Sequence, residues 1–263
     1  MTQKPNEDAP LPAGRYFRSH REDAVEFLLI TGNLFDMATD LALKETFFAA
    51  IRRAGTDPTV RVLLLVAGRD ALGEARYGQF ATALAQQGEA EILVHREENA
   101  LCQFARLACG LEKLVVAGFG GSVIGQFLGA ALATDYRIAA ESTVFSFPHV
   151  RYETPPPAAL AHFLPQYTGT AKAWQVMLGG KPISAAAASK LGLVDEIVPD
   201  DQLMEACVRK AKELAEVSPR VVTMWKRSKA VDLHGLDARS QVEAELHALY
   251  GTLKKTGTGR ALA

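Results

Sequence analysis

The 263-residue chain is 48% hydrophobic and 22% charged, and its 29 Lys and Arg nearly balance 30 Asp and Glu. That balance gives no electrostatic reason to expect nucleic acid or an anionic membrane as partner, and no apolar run reaches the length of a membrane span. Cys102, Cys109 and Cys207 form no C-x-x-C pair, so they read as reduced core thiols of a cytoplasmic protein rather than a disulfide frame or zinc site.

The start, MTQKPNEDAPLPAGRYF, is polar and lacks the apolar centre of a signal peptide; residues 1–15 read as a flexible lead-in. AVEFLLI at 24–30 reads as a strand. MATDLALKETFFAAIRRAG is expected as one helix, with Leu41, Phe47, Phe48 and Ile51 near one face and Gly55 as C-cap. VRVLLLVAG is a nearly continuous apolar strand, of the kind buried on both faces in a parallel sheet. Residues 77–98 are Gln- and Glu-rich with little fold signal, and read as a mobile active-site rim. A helix at 100–108, a buried strand KLVVAGF, a small-residue helix at 125–134 and short strands YRIAA and TVFSF follow. From Thr170 the pattern is mostly helical. The expectation is an α/β core at 16–199 with a helical extension at 200–263.

The stretch GFGGSVIGQFLGAALATD holds five glycines and no charge before Asp135. Gly120 and Gly125 have P-loop spacing, but Gln126 and Phe127 stand where Lys and Ser or Thr are required. The dinucleotide pattern also fails, because Val123 holds the place of its last glycine. Two readings stay open on the loop alone. One is an oxyanion hole, with backbone N–H groups aimed at an oxygen that gains charge. The other is close packing of a helix on a strand.

EKLVVAGFGGSVIGQFLGAALATDYRIAAESTVFSFP, GGKPISAAAASKLGLVDEIVPDDQL and NLFDMATDLALKETFFAAIRRAGTDPTVRVLLLVAG occur in the right order for the crotonase superfamily, the enoyl-CoA hydratase/isomerase family, which the chain resembles over about residues 25–253. The resemblance implies an α/β fold: a ββα spiral core and a C-terminal helical region that forms trimers or dimers of trimers. It implies an acyl-CoA thioester as substrate and no separate cofactor, coenzyme A arriving with the substrate. Two backbone N–H groups would hold the thioester oxygen. One maps to Gln126, beside Gly125, where the family has glycine. The other maps to Arg76 in GRDALGEARYGQF, with Ala75 as the one-residue alternative; the Gly and Asp of that family motif are absent here.

The family's hydratases hold water between two glutamates. Their positions map to Gly129 and His149, so neither carboxylate is present. Restoring both, Gly129→Glu with His149→Glu, is expected to create weak hydratase activity. His149 suits proton transfer near neutral pH, against the plainer reading of a core histidine. Glu153 could bring a carboxylate from another direction, against the plainer reading of a solvated charge. Arg69 is placed to meet the CoA phosphates and Tyr152 the acyl pocket, which the prolines of TPPPA at 154–158 stiffen. His95, Glu97 and Glu98 in the rim, and Tyr250 and Lys254 on the last helix, are further candidates. Three readings result: a lyase, isomerase or hydrolase of divergent chemistry, such as decarboxylation or C–C hydrolysis; a non-catalytic acyl-CoA-binding protein; and a hydratase or isomerase in which Glu74 or Glu153 stands in.

Overall fold

The computed structural model describes residues 16–255 apart from 70, 87–89, 153 and 230–232, and their side chains except at 81–95, 97, 98 and 247–255. β1 (Phe17–Glu22) and β2 (Val25–Ile30) pair antiparallel. β3 (Val62–Ala67), β4 (Leu114–Phe119), β6 (Tyr136–Ala140) and β9 (Glu196–Val198) then extend the sheet in parallel, in the order β1-β2-β3-β4-β6-β9. Every residue of β3 and β4 is buried, which explains their unbroken apolar runs.

Alternation divides those strands between two cores. Leu63, Leu65, Val115 and Ala117 face α1 (Leu34–Thr39), α2 (Leu41–Thr56), α4 (Ala90–Gly110) and α5 (Gly125–Ala131). Val62, Leu64, Val66 and Val116 face Ala206, Cys207 and Ala211 of α9 (Leu203–Ala215). α9 lies so close to β4 that a Cβ on Gly118 would be 2.6 Å from Cys207 Sγ. All three cysteines are buried, and burial pushes the Cys207 thiol up to about 12, leaving it unreactive.

Several expectations are corrected. The first helical run is two helices, because the Asp40 carboxylate accepts from the Ala42 and Leu43 N–H groups at 2.9 and 3.0 Å and starts a new helix. Leu41 therefore falls beside that cap and is 54% exposed. Gly55 is not the C-cap; α2 runs through it to Thr56, and a Cβ there would lie 2.5 Å from Leu111 Cδ2. Close approach to Leu111 is the reason for this glycine. Residues 77–98 fall largely on two helices, α3 (Glu74–Gln86) and the start of α4. Tyr77 and Phe80, one turn apart, bury against Phe35 at ring distances of 5.6 and 5.4 Å. A sparse apolar stripe is enough when its residues are aromatic.

A second sheet joins β5 (Ser122–Ile124), β7 (Val144–Ser146) and β8 (Ile183–Ser184). β5 leads straight into α5. α6 (Ala158–Thr168) follows the prolines and packs across α5, and α7 (Thr170–Gly179) follows it.

α8 (Ala185–Lys190) precedes β9, and α10 (Pro219–Lys229) and α11 (Leu233–Lys255) complete the described chain. α10 is pinned by Lys226, whose Nζ donates to Asp135 Oδ2 at 2.8 Å and the Ala108 carbonyl at 2.6 Å. Burial pulls the Lys226 pKa down and Asp135 opposes it. Losing one partner of such a buried pair costs about 3–5 kcal/mol. On α11 the buried Glu243 accepts the Ala158 N–H at 2.6 Å, capping α6 from outside. Among the described residues no helix is long and apolar enough to cross a membrane, and no cluster of three or more His, Cys, Asp or Glu could hold a metal ion.

Candidate active site

Two helix starts are held beside each other. The Leu72 carbonyl accepts the Ile124 N–H at 3.0 Å, and the Glu74 N–H donates to Ser122 Oγ at 3.3 Å. α3 begins two residues after Leu72 and α5 one residue after Ile124. Arg76 and Ala75 lie in the first turn of α3, and Gln126 and Gly125 in the first turn of α5. First-turn N–H groups have no carbonyl one turn back to bond, so both proposed donors belong to the class of backbone group an oxyanion hole uses.

Around this end the structure gathers Ser146, His149 and Tyr152. Ser146 pairs with Ile124 across β5 and β7. His149 lies in a 3-10 turn, Pro148–Val150, directly after that strand. Tyr152 packs edge-on to Tyr77 of α3 at 5.2 Å, and Arg151 pairs with Glu74 and sits 5.5 Å over the Tyr152 ring. Tyr152 thus ties the turn to α3, and Glu74 is held by an arginine.

Four polar atoms here are buried with no hydrogen-bond partner among the described residues: Gln126 Oε1, Ser146 Oγ and both ring nitrogens of His149. Each such atom costs about 1–3 kcal/mol, and unpaired groups of this kind concentrate where a ligand or catalysis uses them. Burial pulls the His149 pKa below its ordinary 6.5; the Met177 backbone, near the ring but outside hydrogen-bond geometry, opposes this only in part. The ring is therefore largely neutral at pH 7. Because the folded state binds this proton less readily, His149 contributes full stability above pH 6.5, and that contribution falls as pH drops towards the lowered value. His149→Gln should flatten this acid limb in urea titrations as pH falls below 6.5; an unchanged limb would place the ring in an environment like water.

Gly129 is closed. A Cβ there would lie 2.4 Å from the Leu160 backbone N and 2.7 Å from its Cα. Main chain cannot yield as a side chain does, so the expected rescue by Gly129→Glu fails on geometry: α6 occupies the space a glutamate needs. Gly125 is nearly as crowded, with Phe147 Cδ1 at 3.0 Å and Leu160 Cδ2 at 3.2 Å from a Cβ position.

Other candidates stand apart. Arg69 donates to Asp200 Oδ2 at 2.8 Å and Ser142 Oγ at 3.1 Å, bracing the β6–β7 turn. Glu153 lies outside the described residues, as do the side chains of His95, Glu97, Glu98, Tyr250 and Lys254. Sequence reasoning missed Ser146 and Glu243. A polar residue in the apolar alternation of TVFSF signals the first; nothing in the sequence near Glu243 points to its helix partner.

The architecture, a parallel-sheet spiral with a small second sheet carrying the α5 turn, defines a class of fold, and comparison with known proteins gives its family. Residues 37–261 match the family described as Enoyl-CoA hydratase/isomerase. The chain therefore belongs to this family, within the crotonase superfamily. Proteins named probable enoyl-CoA hydratase echA12 are similar to it. That of Mycobacterium tuberculosis is 35% identical over 136 residues, 51% of this chain and 48% of the relative. That of Mycobacterium leprae is 31% identical over 232 residues, 83% of this chain and 77% of the relative. The chain thus spans about half the length of the first of these relatives. The fold is also that of an enoyl-CoA hydratase from Bacillus halodurans, with TM-score 0.75, 20% identity and 89% and 95% of the two chains covered. A methylmalonyl-CoA decarboxylase in complex with 2-nitronate-propionyl-CoA gives TM-score 0.70, 16% identity and coverage of 89% and 90%.

Proposed function

We propose that the chain acts on an acyl-CoA thioester whose carbonyl oxygen is received by the Gln126 N–H and by that of Arg76 or Ala75, and that its chemistry is decarboxylation. The observation that carries this is that neither position mapped to a catalytic glutamate offers a carboxylate: Gly129 is closed by the Leu160 main chain, and the other position holds a buried His149. Hydration needs a base to take a proton from water and an acid to deliver one. Loss of CO₂ from a 2-carboxyacyl thioester needs no base, because the breaking C–C bond leaves its electron pair on the α-carbon as an enolate. The two N–H groups stabilise the enolate oxygen, and His149 donates one proton to the α-carbon and is recharged from water. Hydrolytic C–C cleavage is less well supported, since it requires an activated water and no described carboxylate stands ready for it. Glu74, one of the two stand-ins considered, is engaged with Arg151.

The crowding of Gly125 by Phe147 and Leu160 favours a second reading, an acyl-CoA-binding protein without turnover. Conversion separates the two. With crotonyl-CoA, loss of enoyl absorbance should stay far below ordinary enzyme rates of roughly 1–1000 per second; turnover in that range would support a hydratase and sink the decarboxylase reading. A 2-carboxyacyl-CoA should be converted, with the rate rising as pH falls from neutral towards the lowered His149 pKa, because the His149 proton is needed. Binding without conversion would leave the second reading.

The same proposal includes a homotrimer or dimer of trimers. Met224, Trp225 and Val242 on the last two helices are 66%, 63% and 53% exposed, a surface that a monomer leaves in water at a cost. Sedimentation at micromolar concentration should give a trimer or hexamer, and a monomer would refute it.

A further inference from the structure

Decarboxylation by the Gln126 N–H and His149 leaves two buried side chains of the site without a role: the hydroxyl of Ser146 and the amide of Gln126. Ser146 Oγ and Gln126 Oε1 have no hydrogen-bond partner among the described residues. Gln126 stands where the family has glycine, so its side chain is an addition to the oxyanion turn. Burying such groups unpaired costs free energy, and a ligand that supplies the missing partner offsets that cost.

Strand register says where the hydroxyl stands. In the parallel pair β5 and β7, Ser122 is level with Val144 and Ile124 with Ser146. Residues two apart share a face, so Ser122 and Ser146 lie on one side of this sheet. Ser122 marks that side, because its Oγ accepts the Glu74 N–H in the first turn of α3. Ser146 is therefore turned towards the side of the α3 start, level with the residue that leads into Gly125 and Gln126. Phe147, next along the chain, lies against the same turn: a Cβ on Gly125 would be 3.0 Å from its ring. His149 follows, its ring 6.5 Å from that of Phe147.

We propose that the Ser146 hydroxyl and the Gln126 side-chain amide bind the carboxylate of a 2-carboxyacyl thioester and so select the substrate that loses CO₂. A carboxylate taken out of water needs hydrogen bonds, and bonds to an ionised acceptor are the strong kind. Ser146 donates its O–H; the amide donates from its NH₂ end, which a half-turn exchanges with Oε1. Neither group is charged, and Arg151 of the adjoining turn is held by Glu74. The carboxylate is thus oriented without a counter-ion to fix its charge in place. When the C–C bond breaks, its electron pair passes to the α-carbon and the thioester oxygen, CO₂ departs, and Ser146 and Gln126 keep their protons. This rests on the decarboxylase reading above.

Calorimetric titration with acetyl-CoA and sulfoacetyl-CoA tests it, since the sulfonate stands where the carboxylate would and cannot leave as CO₂. The parent protein should bind sulfoacetyl-CoA roughly ten- to a hundredfold more tightly than acetyl-CoA, the range for a hydrogen bond to a charged group. Ser146→Ala should lose most of that preference. Gln126→Leu, which keeps the backbone N–H, should lose part of it, and Ser146→Thr, which keeps a hydroxyl, little. Without ligand, Ser146→Ala should unfold at an equal or higher urea concentration, because it removes a buried group that has no partner. A lower midpoint would make the hydroxyl part of the fold and overturn the proposal. Equal affinity of the parent for the two thioesters, or a preference that Ser146→Ala leaves intact, would overturn it as well. A preference that depends on Ser146, in a protein that leaves malonyl-CoA unconverted, would support the carboxylate site and overturn the decarboxylase reading alone. No binding of either thioester would overturn both.

Discussion

Gly129→Glu is expected to destabilise the protein by roughly 4 kcal/mol or more, and to create no hydratase. Forcing a side chain into a packed core costs about 1–3 kcal/mol. Here the obstacle is the Leu160 backbone at 2.4 Å, which moves only if all of α6 shifts. A carboxylate left there without a partner adds several kcal/mol or takes up a proton instead. Against a total stability of about 5–15 kcal/mol, that is a large share. Urea unfolding should show a much lower midpoint with an unchanged slope. A Gly129→Glu protein as stable as its parent would mean that α6 does not lie across α5 in solution. His149→Glu by itself should cost less, because the turn Pro148–Val150 ends beside an exposed Arg151 that a carboxylate could approach.

Gln126→Pro is expected to lower kcat on a 2-carboxyacyl-CoA by roughly 100- to 1000-fold, the usual loss for one oxyanion-hole donor. The substitution removes the N–H and keeps much of the surrounding packing. Gln126 is the second residue of α5, where the missing N–H breaks no bond within the helix. The donor matters most once charge has developed on the oxygen, so CoA-thioester affinity should change far less than turnover. Loss of affinity and turnover in equal measure would place Gln126 in general binding and not in stabilisation of the enolate.

The parts of the molecule that were legible in the sequence are those with one dominant physical signal. β3 and β4 announced themselves because burial on both faces leaves no polar residue in six positions. The glycines before and within α5 were legible as a place of close approach, and Gly118 against Cys207 and Gly129 against Leu160 show how close. What could not be read depends on partners distant along the chain. Asp40 looks like any acidic residue in a helical run until its carboxylate is seen to take two N–H groups. α3 was hidden because two aromatics do the work of a longer apolar stripe. α6 was hidden behind prolines, and the Glu243 cap on Ala158 bridges 85 positions.

The candidate site shows the same division. His149 and Gln126 could be singled out from the family's order of motifs, and both are buried near the α5 turn with unpaired polar atoms. The consequence of glycine at 129 could not be foreseen. A missing carboxylate reads in sequence as a deletion that can be reversed; in the structure its space is occupied by another helix. Arg69 has partners that its place in the sequence did not reveal. Its position before the loop suggested a phosphate contact, and its guanidinium donates to Asp200 and Ser142, which lie 131 and 73 positions away.

The central claim is that His149 protonates an enolate formed by loss of CO₂. It is tested most directly by presenting crotonyl-CoA and a 2-carboxyacyl-CoA together in D₂O and reading the thioesters by mass spectrometry. The predicted result is loss of CO₂ with one deuterium at the α-carbon, a product that fades when His149 is replaced by Gln, while crotonyl-CoA stays intact. Water added across crotonyl-CoA at an enzymatic rate, with the carboxylated thioester untouched, would contradict it.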